Sequence, residues 1–226
     1  GVGEMLGQYY PHVTFVQAQH NGGYAYGNNI GIRRAKGRYI MIANPDIVLS
    51  STLVEGLVDF MEAHPSVGIA GPRLVNPDGT LQHSCLRFPD MMLPLFRRTF
   101  LARTGWGRRW LSRYFMEEWD HASARDVDWL FGACLLVRRE ALDAVGPLDE
   151  QFFLYLEDTD WCRRFWEKGW QVYYVPTVSA IHLLRRSSEG SPLSIIFNRT
   201  ARVHLGSFIR YLIKYKGKSN PHQLAT

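Results

Sequence analysis

The stretch LDEQFFLYLEDTDWCRRFWEKGW, residues 148–170, sets Asp149, Glu150, Glu157, Asp158 and Asp160 among phenylalanines, tyrosine and tryptophans. Acids in the first turn of a helix are favoured by its macrodipole, which accounts for some of them. The two aromatics and leucine ahead of the helix add a second effect, because they withdraw water. A desolvated carboxylate can take a proton from a hydroxyl as a general base. Asp46 follows an apolar run and Pro45, where a carboxylate can face a metal ion or an N–H donor. Taken alone, aspartate after proline is more often a turn or cap residue. His182 alone is an ordinary histidine, but beside a phosphate and an aspartate it can ligate Mg²⁺ or Mn²⁺. The loop NGGYAYGNN, residues 21–29, has glycines that let backbone N–H groups approach a phosphate. It matches neither common phosphate-loop spacing, so a phosphate loop, a metal site and a pair of turns all stay open.

Positioning these groups requires an alternation of strands and helices. Val13–Gln17 is a short β-rich run, Asn28–Ala35 reads as helical turns closed by Gly37, and Tyr39–Ala43 reads as a buried strand. Asn44-Pro45-Asp46 ends that strand. Thr52-Leu53-Val54-Glu55 has a capping-box pattern and opens a helix that stops near His64-Pro65. Val67–Ala70 reads as another buried strand, followed by the turn Asn76-Pro77-Asp78-Gly79. Val127–Val137 reads as one apolar strand, Arg139–Val145 and Glu157–Lys168 as helices, and Trp170–Val175 as a strand stopped by Pro176. Ser179–His182 is a brief extended run. Such alternation predicts an α/β sheet. Ligands of open α/β sheets lie outside the carboxyl ends of strands, where Asn21–Asn29, Asn44–Asp46 and His182 all fall.

With 226 residues and 46% hydrophobic content, the chain can bury a sizeable core. No apolar run approaches the roughly 20 residues of a membrane span. Cys85, Cys134 and Cys162 show neither CxxC spacing nor a disulfide framework, which points to a reducing, cytoplasmic compartment. The net charge of +5 is clustered: residues 91–116 carry six arginines and no acid, and the stretch from Arg199 to Lys218 is basic too. Such patches suit polyanions, whether nucleic acid, anionic lipid or phosphorylated small molecules. Residues 88–125 show no clear period and read as an insertion or mobile segment.

Taken together, the motifs resemble a known family. N-x-G-x-x-x-G-x-N, GRYIMIANPDIVLS, GPRLVNPDGTLQHS, DWLFGACLLVRREALDAVGPLDEQFFLYLEDTDWCRR and GWQVYYVPTVSAIH occur in order between about residues 9 and 188. This set resembles the inverting family-2 glycosyltransferases, and within them the rhamnosyltransferase-like branch acting on bacterial cell-surface polysaccharides. The resemblance implies a GT-A fold over residues 1–198: a Rossmann-like nucleotide-sugar-binding sheet with helices on both faces, followed by a basic amphipathic tail, 199–226. It implies Asp158 as the base. It places Asn21, Gly23, Asn28, Asn29, Asn44 and Asp46 at the nucleotide-sugar donor, and Trp129, Gly132, Ala133 and Glu157 at the sugar and acceptor pocket. Asp46 and His182 are implied as ligands of a divalent cation, Mg²⁺ or Mn²⁺. Asn44 stands where many relatives have an acid, which leaves one fewer charge on the metal.

Relatives begin with a strand–helix–strand unit that grips the nucleobase, carrying V-x-Y-N and D-N-x-S-x-D-G. This sequence starts after those motifs, so it is expected to be a fragment of a longer protein. The implied acceptor is a glycan or polyprenyl-linked glycan. Leu205, Phe208, Ile209, Leu212 and Ile213 share a helical face flanked by Arg202, Arg210 and Lys214, which suits either the domain core or peripheral contact at the inner face of the cell membrane. A non-catalytic sugar-nucleotide or carbohydrate-binding module is the alternative. Nucleic-acid binding is disfavoured because no helix-turn-helix, RNP or zinc pattern accompanies the charge.

Overall fold

The computed structural model describes residues 1–183 and 198–225. No helix among them is long and apolar enough to cross a membrane. The helices are α1 (Val2–Tyr9), α2 (Gly23–Ile32), α3 (Ser51–Ala63), α4 (Leu93–Arg98), α5 (Gly105–Tyr114), α6 (Arg139–Val145), α7 (Glu157–Glu167), α8 (Arg199–Lys214) and α9 (Pro221–Ala225). The strands are β1 (Tyr39–Ala43), β2 (Ile47–Val48), β3 (Val67–Val75), β4 (Leu81–Gln82), β5 (Cys85–Leu86), β6 (Arg125–Asp126), β7 (Trp129–Leu130), β8 (Cys134–Arg138) and β9 (Gln171–His182).

The main sheet has the order β1-β8-β3-β9-β2, with β4 on β3 and β6 on β9, while β5 and β7 form a separate pair. Strands β3 and β9 run parallel. Strand β8 is antiparallel to both β1 and β3, so its first residue lies at the edge where β1 ends. The central strands are apolar without alternation because helices cover both faces. Successive residues then serve opposite layers: Ile69 and Leu135 pack with Ala25, Ile32, Phe165 and Trp166. Their neighbours Ala70 and Leu136 pack with Leu53, Leu57 and Met61 of α3.

Several elements differ from the sequence expectation for physical reasons. Val13–Gln17 is not a strand, since no ladder partner lies beside it among the described residues. Helix α2 begins at Gly23 rather than Asn28, because a distant carbonyl, that of Phe153, accepts the Tyr24 N–H at 2.9 Å. Helix α3 is capped by Ser50, whose Oγ accepts the Leu53 N–H at 3.2 Å, rather than by Thr52. The run Val127–Val137 is two strands, β7 and β8, separated by Phe131–Ala133. Pro176 does not stop β9: the register jumps from Pro72↔Val175 to Arg73↔Ser179, so the proline sits in a bulge where no ladder donor is required. The stretch without a period at 88–125 holds α4, α5 and a 3₁₀ turn, and it buries Phe96, Tyr114 and Met116. Phe96 lies edge-on to Trp106 and 5.1 Å from Trp110.

Candidate active site

Pairing of β2 with β9 sets Ile47 opposite His182, and the Asp46 carbonyl accepts the Leu183 N–H at 2.9 Å. Asp46 Oδ1 and His182 Nε2 therefore meet at 3.5 Å. On the far side of the ring, His182 Nδ1 lies 2.7 Å from Gln82 Oε1, while Gln82 Nε2 donates to Asn76 Oδ1 at 3.2 Å. Gln82 thus presents an acceptor, and Nδ1 must carry the proton. The Nε2 lone pair is left facing a carboxylate oxygen, and neither atom has a hydrogen-bond partner. A proton on Nε2 or a bound cation would satisfy both atoms. One imidazole with one carboxylate could hold Mn²⁺ or Mg²⁺, and no third His, Cys, Asp or Glu joins them among the described residues. Burial lowers the His182 pKa, against the opposing pull of Asp46, which favours the neutral, ligating imidazole.

The second half of the site is the start of α7. Tyr155 and Leu156 both have positive φ, 67° and 69°, a costly conformation for side chains of that size. These two residues lead directly into Glu157 and Asp158 at the start of α7. Asp158 Oδ2 accepts the Gly132 N–H at 2.9 Å, and Oδ1 accepts the Thr159 N–H at 2.7 Å. Burial raises the Asp158 pKa, while these backbone donors oppose the rise. Glu157 is 4% exposed and its Oε2 has no partner. Burial pushes its carboxyl well above the usual range, and the neighbouring Asp158 charge adds to the shift. Burial thus raises both carboxyls, while only Asp158 is oriented by backbone donors and Glu157 keeps a free Oε2.

The loop between β7 and β8 joins the halves. Gly132 donates to Asp158, and the next carbonyl, Ala133, accepts the Asn44 N–H at 2.9 Å. Tyr24 of α2 donates its hydroxyl to the Gly132 carbonyl at 2.6 Å. A Cβ on Gly132 would stand 2.9 Å from that hydroxyl, so the close approach depends on glycine. Trp129 is buried and donates Nε1 to the Arg87 carbonyl at 2.8 Å.

The glycine loop leads into this loop. Asn21 Oδ1 accepts the Gly23 N–H at 3.1 Å, and Asn28 Nδ2 donates to the Tyr24 carbonyl at 3.0 Å. Gly23 has φ 88°, and a Cβ there would lie 2.0 Å from the Phe153 carbonyl oxygen. Asn29 is the clear correction to a donor-facing role. It is 1% exposed; its Nδ2 donates to the Leu148 carbonyl and Glu150 Oε1, and its Oδ1 accepts the Leu148 N–H. With its polar atoms so engaged, Asn29 braces α2 against the loop that carries Asp158.

The family model described as glycosyltransferase-like family 2 matches residues 2–204. The chain belongs to that family. It is 35% identical over 159 residues to N-acetylglucosaminyl-diphospho-decaprenol L-rhamnosyltransferase of Mycobacterium tuberculosis, a match covering 69% of this chain and 50% of the relative. It is 27% identical over 207 residues to the rhamnosyltransferase WbbL of Escherichia coli K12, covering 88% of this chain and 73% of that protein. The chain thus spans about half the length of the mycobacterial relative it matches. Mannosyltransferase PcManGT from Pyrobaculum calidifontis, solved with GDP-Man and Mn²⁺, superposes with a TM-score of 0.56 at 16% identity, over 99% of this chain and 53% of that one. GalNAc-T7, solved with UDP, GalNAc and Mn²⁺, gives 0.56 at 13% identity, over 84% and 36%. These two likenesses establish the GT-A fold.

Within this family-2 domain, three contributors are not singled out by the sequence reading. Gln82 lies inside the quoted GPRLVNPDGTLQHS but acts only through its partner, His182. Tyr24 lies inside the glycine loop, and only the fold brings it to Gly132. Helix α8 holds the loop before Asp158: Ser207 Oγ donates to the Leu154 carbonyl at 2.8 Å, and the His204 ring lies 4.4 Å from that of Tyr155. Asp160, fully buried, is held by Arg164 at 2.9 Å, Lys214 at 2.6 Å and the Tyr215 hydroxyl at 2.7 Å. It is a structural knot rather than a further acid at the reacting centre.

Proposed function

We propose that the chain carries the catalytic half of an inverting sugar transferase, with Asp158 as the base. The observation that carries this reading is the Asp158 carboxylate, desolvated yet fixed by the Gly132 and Thr159 N–H groups. Asp158 takes the proton of an acceptor hydroxyl as that oxygen forms its bond to C1 of the sugar. The bond from C1 to the nucleoside diphosphate breaks on the opposite face, and the diphosphate leaves with the electron pair. One base on one face accomplishes inversion without a covalent intermediate. Glu157, with Oε2 unpartnered, is free to hydrogen-bond the sugar or acceptor in the pocket with Trp129, Gly132 and Ala133.

Asp46 and His182 would hold the divalent cation, which when bound offsets the charge growing on the leaving diphosphate. Asn44 lies beside them on the donor side. Asn21, Gly23 and Asn28 shape the approach to the donor through α2. The mycobacterial and E. coli relatives favour rhamnose as the sugar, and the mycobacterial one favours a polyprenyl-linked glycan as the acceptor. Such an acceptor is anchored in lipid, so the enzyme would work at the cytoplasmic face of the membrane, in cell-surface polysaccharide synthesis.

The test is sugar transfer from a panel of nucleotide-sugars with Mn²⁺, read by mass spectrometry of the acceptor. Asp158→Asn is expected to lower turnover by roughly 10²–10⁴-fold with donor binding retained. Turnover unchanged in that variant would remove Asp158 from the role of base. Donor binding without transfer in the parent chain would instead make it a binding module.

A further inference from the structure

Helix α8 buries Ala201, Ser207, Phe208 and Tyr211 against the domain. Its opposite side leaves Leu205, Ile209 and Ile213 exposed at i, i+4, i+8 spacing, with Ile213 at 71%. A groove of ≈ 780 Å³ separates this helix from the helical stretch 88–114, and Met91, Trp110 and Arg113 line its other wall. Met91 is 78% exposed, and Trp106, one turn before Trp110 on α5, is 62% exposed. Two partly exposed apolar edges, far apart in sequence, therefore lie at one groove, with Met91 and Trp110 lining one side and Ile209 and Ile213 the other.

Their charge is predominantly positive, although exposed Asp90 and buried Asp128 also line the groove. Residues 91–116 hold six Arg and no acid, and residues 199–218 hold six Lys or Arg and no acid. Arg113 on one wall and Lys216 on the other line the groove, and with Arg109 on α5 they are exposed and show no side-chain partner among the described residues. Exposed tryptophan and aliphatic residues ringed by unpaired cations match the headgroup boundary of an anionic bilayer, where the rings sit at headgroup level and each cation adds attraction.

We propose that the two walls, α5 with Met91 and the outer stripe of α8, form one face that seats the enzyme on an anionic membrane. This deepens the proposed action on a lipid-linked acceptor and rests on that reading for its purpose. Asp46, Asp158 and His182 do not line the groove. One end of the groove does reach the candidate pocket: Arg87, which lines it, accepts the Trp129 Nε1–H at 2.8 Å on its carbonyl. The seat and the chemistry are thus neighbours with separate residues. Helix α8 also grips Leu154 and Asp160, so the element proposed to touch lipid is the one that holds the loop of the base.

Co-sedimentation of the full chain with vesicles tests the face. Binding is expected to phosphatidylcholine vesicles containing phosphatidylglycerol, to weaken with salt, and to be absent with phosphatidylcholine alone. Met91→Ser/Trp106→Ser on one wall and Ile209→Ser/Ile213→Ser on the other should each weaken binding by at least roughly tenfold. Arg109→Glu/Arg113→Glu should do the same through charge, with the melting temperature checking that each variant is folded. Equal binding to neutral vesicles, no binding at all, or loss in the α8 variant alone would overturn the two-walled face. Transfer to a short-chain, water-soluble acceptor should match the parent in all three variants. Failure of that transfer in the parent, with vesicle binding as expected, would sink the catalytic reading and leave the face standing.

Discussion

Gly132 donates its backbone N–H to Asp158 Oδ2 at 2.9 Å while its carbonyl accepts the Tyr24 hydroxyl at 2.6 Å. One residue without a side chain thus links the carboxylate proposed as the base to α2. Gly132→Ala would set a Cβ 2.9 Å from the Tyr24 oxygen and push the loop off Asp158. A displacement near 1 Å at a reacting group can cost on the order of 10²-fold in rate. Removing the hydroxyl opens the space, so Tyr24→Phe/Gly132→Ala should turn over faster than Gly132→Ala alone. Steady-state kinetics of the two variants decide it, and equal rates would mean the clash is not the cause.

Gln82 should govern cation affinity without touching the cation. Gln82→Leu frees the His182 Nδ1 proton from its 2.7 Å partner and lets the ring turn away from Asp46. Loss of such an orienting partner typically costs 10–100-fold in metal affinity. Calorimetric titration of Mn²⁺ in the presence of a nucleoside diphosphate is the measurement. An unchanged affinity would show that Asp46 and His182 do not share an ion.

Glu157 should give stability a pH dependence of defined sign. Its folded pKa is raised above the ordinary 4.5 by burial and by Asp158. The protonated form is therefore the one the fold favours. That stability is fully present below the unfolded value and is lost as pH rises through the folded one. Glu157→Gln removes this loss, so above about pH 4.5 its urea midpoint should fall less steeply than the parent's. Superimposable profiles would count against the shift.

Gly23→Ala should destabilise the domain rather than simply impair donor binding. The substitution combines φ 88° with a Cβ 2.0 Å from the Phe153 oxygen. Strain of this kind costs about 1–3 kcal/mol or more, which chemical denaturation would detect. A stability equal to the parent's would mean that α2 can pull away from Phe153 at no cost.

Much of this molecule follows from short-range sequence pattern. The apolar run Tyr39–Ala43, the turn at Asn76–Gly79 and the acidic start of α7 depend on neighbours in the chain, and each forms where its residues place it. Family membership was legible too, because ordered motifs carry it. Contacts made by distant residues were not. The types Asn and Gly in NGGYAYGNN fit a phosphate loop, yet Asn29 spends its amide on Leu148 and Glu150, 119 and 121 positions away. Pro176 reads as a stop until β3 supplies a bulge to hold it. The meeting of Asp46 with His182 arises only when β2 and β9 pair. Sequence settles which groups are present and which elements carry them, since propensity and periodicity act over a few residues. Which lone pairs, protons and apolar edges meet depends on strand register and loop path, and only the tertiary structure decides those.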